Sequence, residues 1–310
     1  MRKTYIFLLL VVCIAALFAG CTNDSEINHT SPSQSTVNIS DDELDALFDT
    51  LLTRPALVPD EYPDEIICTD YTTLGLLRIC YASDTDAKIK LQVVKDGSTI
   101  AYNLAGDGRI ENFPLQYGNG EYTARIMENI EADEYLIVES KTFDVTISDE
   151  QAVYLNSVQN IDWDYDMIPI EDVRYIVAQT LMNAPDDIYF SCATDLYDYV
   201  IQNVDYDDEK ILDLLYNYLP DIEQTYVDGK GICYDYASLL AAMLRSINIP
   251  TKLVKGYASY NPSVYHAWNE VYINGQWVVI DTTRDAALLK SGASFEPEKS
   301  KDDYITVHEY

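Results

Sequence analysis

The stretch "YHAWNEVYINGQWVVID", residues 265–281, limits this chain's folding more than any other. Asn274-Gly275 separates two runs of strand character, and that dipeptide favours a two-residue hairpin turn. A turn of fixed length fixes the register around it. Counted outward, Ile273 faces Gln276, Asn269 faces Ile280, and Trp268 faces Asp281. Alternation puts His266, Trp268 and Glu270 on one face. His266 is then on the same-face diagonal to Asp281, a span that long side chains bridge. An aspartate at a strand end is in isolation as readily a turn residue. An imidazole within reach favours a second role, that of orienting the ring.

Just before the hairpin, "GKGICYDYASLLAAMLR" (229–245) predicts a helix over 232–247. Leu239, Leu240, Met243 and Leu244 form its core stripe. Cys233 falls in the first turn, where unsatisfied N–H groups and the positive end of the dipole favour a thiolate. A cysteine nucleophile needs a base. The chain has three histidines. His29 lies in a polar tether and His308 near the C-terminus, so His266 is the expected partner. The helix N–H groups also supply half an oxyanion hole, each donor contributing about 3 kcal/mol to the transition state. Gln224 and Tyr257 are candidates for the other half, and Tyr257 and Trp268 for substrate contact. Asp235 and Tyr236 could also touch substrate, although the helix dipole already explains an acid at Asp235. Trp277 is expected to pack the hairpin.

The chain opens "MRKTYIFLLLVVCIAALFAGC". A basic head, an apolar run and a small residue before Cys21 read as a secretory signal over 1–20. "LFAGC" resembles the lipobox of bacterial lipoproteins, with Phe18 where leucine is more usual. That resemblance implies lipidation of Cys21 and a membrane-anchored, extracytoplasmic body. An uncleaved anchor and a plain secretory signal are the competing readings. Residues 21–40 form a polar tether. Residues 41–65 hold a short amphipathic helix, opened by a Ser40/Glu43 capping box, and a linker. From 66 to 147 the period becomes two. "LLRICYA", "AKIKLQVVKDGSTIAYNL", "GEYTARIMENI" and "YLIVESKTFDVTI" suggest a small antiparallel sandwich, Ig-like in outline. Its role as spacer, binding module or lid stays open. The segment 148–290 predicts helices near 148–158, 170–183, 190–203, 209–219 and 232–247, then three strands, an α+β domain. Residues 291–310 form a tail with a closing strand.

A net charge of −32 argues against nucleic acid and anionic headgroups as partners. Asp162, Asp164 and Asp166 alternate, but the run lacks the glycine and glutamate of a calcium loop, so it reads as a solvated face. No metal or other cofactor is expected. The 26 tyrosines fit an amphipathic extracellular surface better than a dedicated stacking platform. Cys68 and Cys80 could pair in an oxidising compartment, and a Cys192–Cys233 bond would make Cys233 structural.

Together, "GKGICYDYASLLAAMLRSINIPTKLVKGY" and "HAWNEVYINGQWVVIDTT" resemble the transglutaminase-like superfamily, from about 170 to 285. The resemblance implies a papain-like fold, with Cys233 as nucleophile, His266 as base and Asp281 as its orienter. It implies acyl transfer from a peptide amide through a thioester, to water or to an amine. Hydrolysis is the favoured outcome, on a protein or peptide substrate that includes cell-wall peptide. A non-catalytic binding module, a cross-linking enzyme and a disulfide-stabilised structural protein are the alternatives. No calcium site like those of the animal enzymes is visible.

Overall fold

The computed structural model describes residues 57–183 and 186–310. The signal, the tether and the helix expected after Ser40 lie outside the described residues.

The first half is antiparallel sheet. Strands β1 (Ile67–Cys68), β2 (Leu76–Ala82) and β5 (Asp107–Pro114) form one sheet. A second has the order β4 (Ser98–Leu104), β3 (Ile89–Lys95), β6 (Gly120–Glu131), β7 (Glu134–Val145). Alternation decides which side is buried. Leu91 and Val93 of β3 and Tyr122, Ala124 and Ile126 of β6 are fully enclosed, while their neighbours are not. Each large apolar side chain so enclosed contributes about 1.5–3 kcal/mol. The sequence reading missed β1 and β5, because the glycines at 106 and 108 read as turn alone.

The second half puts helices on an antiparallel sheet. The helices are α1 (Ile168–Met182), α2 (Ile188–Asn203), α3 (Ile222–Asp228), α4 (Cys233–Ser246) and α5 (Thr282–Lys290). Between them, β8 (Asp205–Tyr206) pairs in parallel with β9 (Lys230–Gly231). The main sheet has the order β13 (Glu298–Lys299), β12 (Gln276–Ile280), β11 (Tyr265–Ile273), β10 (Thr251–Ala258), β14 (Tyr304–Glu309). Helix α4 is buried from Tyr234 to Ser246. The expected one-sided stripe is therefore too narrow: the other four helices and strands β10 and β11 enclose α4. Buried residues of both halves belong to one apolar cluster. The result is a mixed α/β protein with antiparallel sheets.

Two helices expected from the sequence are corrected. The helix expected over 209–219 is a single 3-10 turn, Lys210–Asp213, followed by irregular chain. Its apolar residues recur at helical spacing, yet Leu212, Leu215 and Tyr216 stay exposed, so no packing stabilises a helix there. The helix expected over 148–158 shrinks to a 3-10 segment, Glu150–Leu155. In the C-terminal tail, where the sequence predicts a closing strand, β14 adds to β10 and completes the main sheet. Finally, Cys68, Cys80, Cys192 and Cys233 are all free thiols. Cys192 is fully buried in α2, and burial pushes its thiol up to about 12.

Candidate active site

The hairpin register is the one the turn dictates. Asn274 and Gly275 both take positive φ, and Ile273 pairs with Gln276 and Asn269 with Ile280. Strand β12 ends at Ile280, so Asp281 stands at the point where the sheet gives way to α5. Asp281 is the N-cap of that helix, its Oδ1 accepting from the Arg284 amide at 3.0 Å. Its Oδ2 lies 2.9 Å from His266 Nε2. Asp281 is 0 % exposed, so a carboxylate there needs donors on every side. Tyr260 and Tyr304 supply two more, each hydroxyl donating to Oδ2 at 2.9 Å.

Cys233 reaches the same imidazole. Helix α3 closes on Gly229 at positive φ, and β9 carries the chain past the helix head. Gly231 passes so close that a Cβ there would sit 2.6 Å from that of Asp235. Ile232 caps the helix and Cys233 is its first residue, partly exposed. The thiol interacts with His266 both as a hydrogen-bonding group and as a charge. Because Asp281 only accepts, Nε2 carries a proton toward it, which leaves Nδ1 as the nitrogen free for sulfur.

Burial opposes a charge on His266, but the Asp281 hydrogen bond and then Cys233 outweigh it and raise its pKa to about 10. Burial likewise opposes a charge on Asp281, yet His266, the Arg284 amide and Tyr260 hold its carboxyl below the usual range. Burial and the nearby Asp281 push the Tyr260 and Tyr304 phenols up, so both remain protonated donors. The set favours an imidazolium between a carboxylate and a sulfur. Such a trio can deliver a nucleophilic thiolate and return a proton to a leaving amine.

The remaining sequence candidates separate. Trp268 is 1 % exposed and stacks beside His266 at 6.3 Å and 26°. It steadies the ring from behind, so its expected role as a cleft wall is corrected: a buried ring has no surface to offer a substrate. Tyr257 is exposed on β10, its ring 5.5 Å from that of Tyr265. Gln224 sits exposed in the first turn of α3, where its amide bonds the Asp221 cap, and no interaction ties its side chain to Cys233. Asp235 is enclosed, ion-pairing with Lys210 at 2.7 Å, and cannot face substrate. Trp277 packs the hairpin against Tyr272 and Tyr154.

Tyr260, Tyr304 and Lys255 were missed by the sequence reading. Gly256 is how Tyr304 arrives: a Cβ there would lie 1.9 Å from Ile305 O, so only glycine lets β14 pass opposite His266. Lys255, on β10, is in electrostatic range of Cys233. Among the described residues, no three or more His, Cys, Asp or Glu side chains gather as a metal site.

A family model of the transglutaminase-like superfamily matches residues 175–282. The protein YebA of Bacillus subtilis (strain 168) is 31 % identical over 106 residues, which are 27 % of this chain and 14 % of YebA. Three solved structures are also similar. Legionella pneumophila LapG is 13 % identical, over 48 % of this chain and 77 % of LapG, with a TM-score of 0.34. The periplasmic domain of TgpA from Pseudomonas aeruginosa is 15 % identical, over 71 % of this chain and 95 % of that one, with a TM-score of 0.34. Red sea bream transglutaminase is 15 % identical, over 67 % of this chain and 48 % of that one, with a TM-score of 0.31.

Proposed function

We propose that the transglutaminase-like domain carried by this chain is a cysteine-dependent acyl-transfer enzyme, with Cys233 as nucleophile, His266 as acid and base, and Asp281 as orienter. One observation carries the reading: His266 Nε2 is held 2.9 Å from a buried carboxylate while the same imidazole interacts with the Cys233 thiol at a helix head. The thiolate attacks a peptide carbonyl carbon, and the oxyanion forms near the free N–H groups of α4. The C–N bond breaks as His266 gives its proton to the leaving amine, and a thioester remains. Water, deprotonated by His266, then adds to the thioester, the C–S bond breaks, and the acid and thiol are released. Cys233 is partly exposed, so water has access to the thioester, which favours hydrolysis over transfer to an amine.

The substrate in this reading is a protein or peptide outside the cytoplasm, wall peptide included. The leader and Cys21 support a lipid anchor at the membrane's outer face. Among the described residues no helix is long and apolar enough to cross a membrane. The two antiparallel sheets of the first half support an Ig-like module that holds the catalytic half away from the bilayer.

Alkylation of Cys233 by iodoacetamide tests the core of the proposal. Rapid labelling at neutral pH that falls at least tenfold in His266→Ala is expected for an activated pair. Equal and slow labelling in both proteins rejects the catalytic reading. Incubation with an unfolded protein and a fluorescent primary amine then separates the products. New N-termini without amine incorporation assign hydrolysis, and stable incorporation assigns cross-linking chemistry.

A further inference from the structure

Lys255 is an anomaly in a chain of net charge −32. Lys210, Lys252 and Lys299, the other partly buried lysines of this half, each hold a carboxylate. Lys255 forms no ion pair with any described residue. Its Nζ rests 3.2 Å from the centroid of the Tyr234 ring and 5.4 Å from that of Tyr310. Tyr234 follows Cys233 at the head of α4, and Lys255 is within electrostatic range of the thiol. Burial lowers the Lys255 pKa to about 7, and the nearby Cys233 opposes that shift.

The surroundings lead outward to solvent. Lys255 pairs with Ala267 on β11 and with His308 on β14, and Tyr257 pairs with Tyr265. Lys255 and Tyr257 share one face of β10 by alternation. Tyr257 and Tyr265 are 37 % and 45 % exposed. An ammonium thus sits at the inner end of an aromatic strip whose outer end is open. A ring face stabilises a cation less than a carboxylate does, so a partly desolvated ammonium retains affinity for an anion. Over most of its surface this acidic protein repels anions. A local cation beside the thiol makes an exception for one that is correctly placed.

We propose that Lys255, with Tyr257 and Tyr265 at its open edge, forms an anion-binding subsite beside Cys233, and that the substrate presents a carboxylate next to the amide that is cleaved. The inference rests on Cys233 being the nucleophile. It selects, among peptides, those with an acidic side chain or a free carboxyl terminus near the reacting bond.

Two alkylating agents of similar size, iodoacetate and iodoacetamide, read the subsite without a known substrate. In each, the sulfur displaces iodide, so the ratio of their rates at one pH cancels the thiolate fraction. Labelling of the full chain is followed at the Cys233 peptide by mass spectrometry, with glutathione as reference thiol. The iodoacetate-to-iodoacetamide ratio at Cys233 is expected to exceed that of glutathione about fivefold. Lys255→Met should remove most of that excess and Lys255→Arg retain it. A wild-type ratio equal to glutathione's overturns the subsite and needs no variant. A ratio unchanged in a folded Lys255→Met protein overturns it too. The absolute iodoacetamide rate and its dependence on His266 report separately on the nucleophile, so the two readings fail in distinguishable ways.

Discussion

Asp235 and Asp281 are two solutions to one problem. Each carboxylate is 0 % exposed and sits at the start of a helix. Each accepts a backbone amide, from Ile232 at 2.8 Å and from Arg284 at 3.0 Å. Each takes tyrosine hydroxyls, Tyr218 at one and Tyr260 and Tyr304 at the other. Each has one cation, Lys210 at 2.7 Å and His266 at 2.9 Å. Burial dictates all of this, since an unpaired carboxylate in the interior is far too costly. The difference is in the cation. Lys210 has one charged end, and with Tyr218 it pins the exposed segment between them to the head of α4. His266 has a second nitrogen, and its ring also interacts with the Cys233 thiol. Identical electrostatics therefore give an anchor in one place and a reactive pair in the other.

Neutralising each carboxylate in turn should separate the two roles. Asp281→Asn keeps an oxygen for the Arg284 amide but loses the charge that holds His266 as imidazolium. Catalytic efficiency should fall about 10³- to 10⁴-fold, while circular dichroism stays that of the folded protein. Activity above a tenth of wild type would break the comparison at its stronger end. Asp235→Asn should do the reverse. Lys210 retains water on a side chain 28 % exposed, so its loss of partner costs less than the 3–5 kcal/mol of a fully buried pair. A stability loss of about 2 kcal/mol in urea is expected, with turnover per folded molecule within about threefold of wild type.

The reactive pair was legible in the sequence and its surroundings were not, for a physical reason. A two-residue turn of Asn274 and Gly275 fixes the register, so the Asp281–His266 approach follows by counting. Gly229, Gly231 and an apolar run place Cys233 at a helix head. These are local signals. Tyr304 reaches Asp281 only because β14 pairs with β10 across more than forty residues, and nothing near Tyr304 encodes that pairing. Tyr260 lies in a turn of irregular geometry, one tyrosine among 26. Helix α5 is short and begins inside "IDTTRD", where the aspartate reads equally as turn or cap. The reverse error at 209–219 has the same origin: helical spacing is a local property, whereas burial of the face it creates is not.

The His266–Asp281 pair should also show itself in the pH dependence of stability. His266 has a folded-state pKa of about 10, raised above its ordinary value of 6.5. Its stabilising contribution is therefore complete below about pH 6.5 and disappears as pH rises toward about 10. Asp281 is shifted downward, so its contribution holds above its ordinary value of 3.8 and is lost as pH falls below it. The stability difference between wild type and His266→Ala should shrink steadily across pH 6.5–10. In the Asp281→Asn background that slope should flatten. A slope that survives in the double variant would assign it to another group.

The smallest change sharpens the comparison most, because it can be made identically at both carboxylates. Tyr304→Phe removes one donor from Asp281, and Tyr218→Phe removes one from Asp235. Each deletion takes away a hydrogen bond to a charged acceptor, so each should lower stability by about 1–2 kcal/mol in urea. Only one should reach the chemistry. With one donor fewer, Asp281 becomes a stronger acceptor for His266 and keeps the imidazolium charged to higher pH. The limb of the alkylation profile governed by His266 should then move upward in Tyr304→Phe and stay in place in Tyr218→Phe. Equal displacement in both would mean that Asp235 also acts on the thiol, through the head of α4, and the anchor and the reactive pair would form one electrostatic unit.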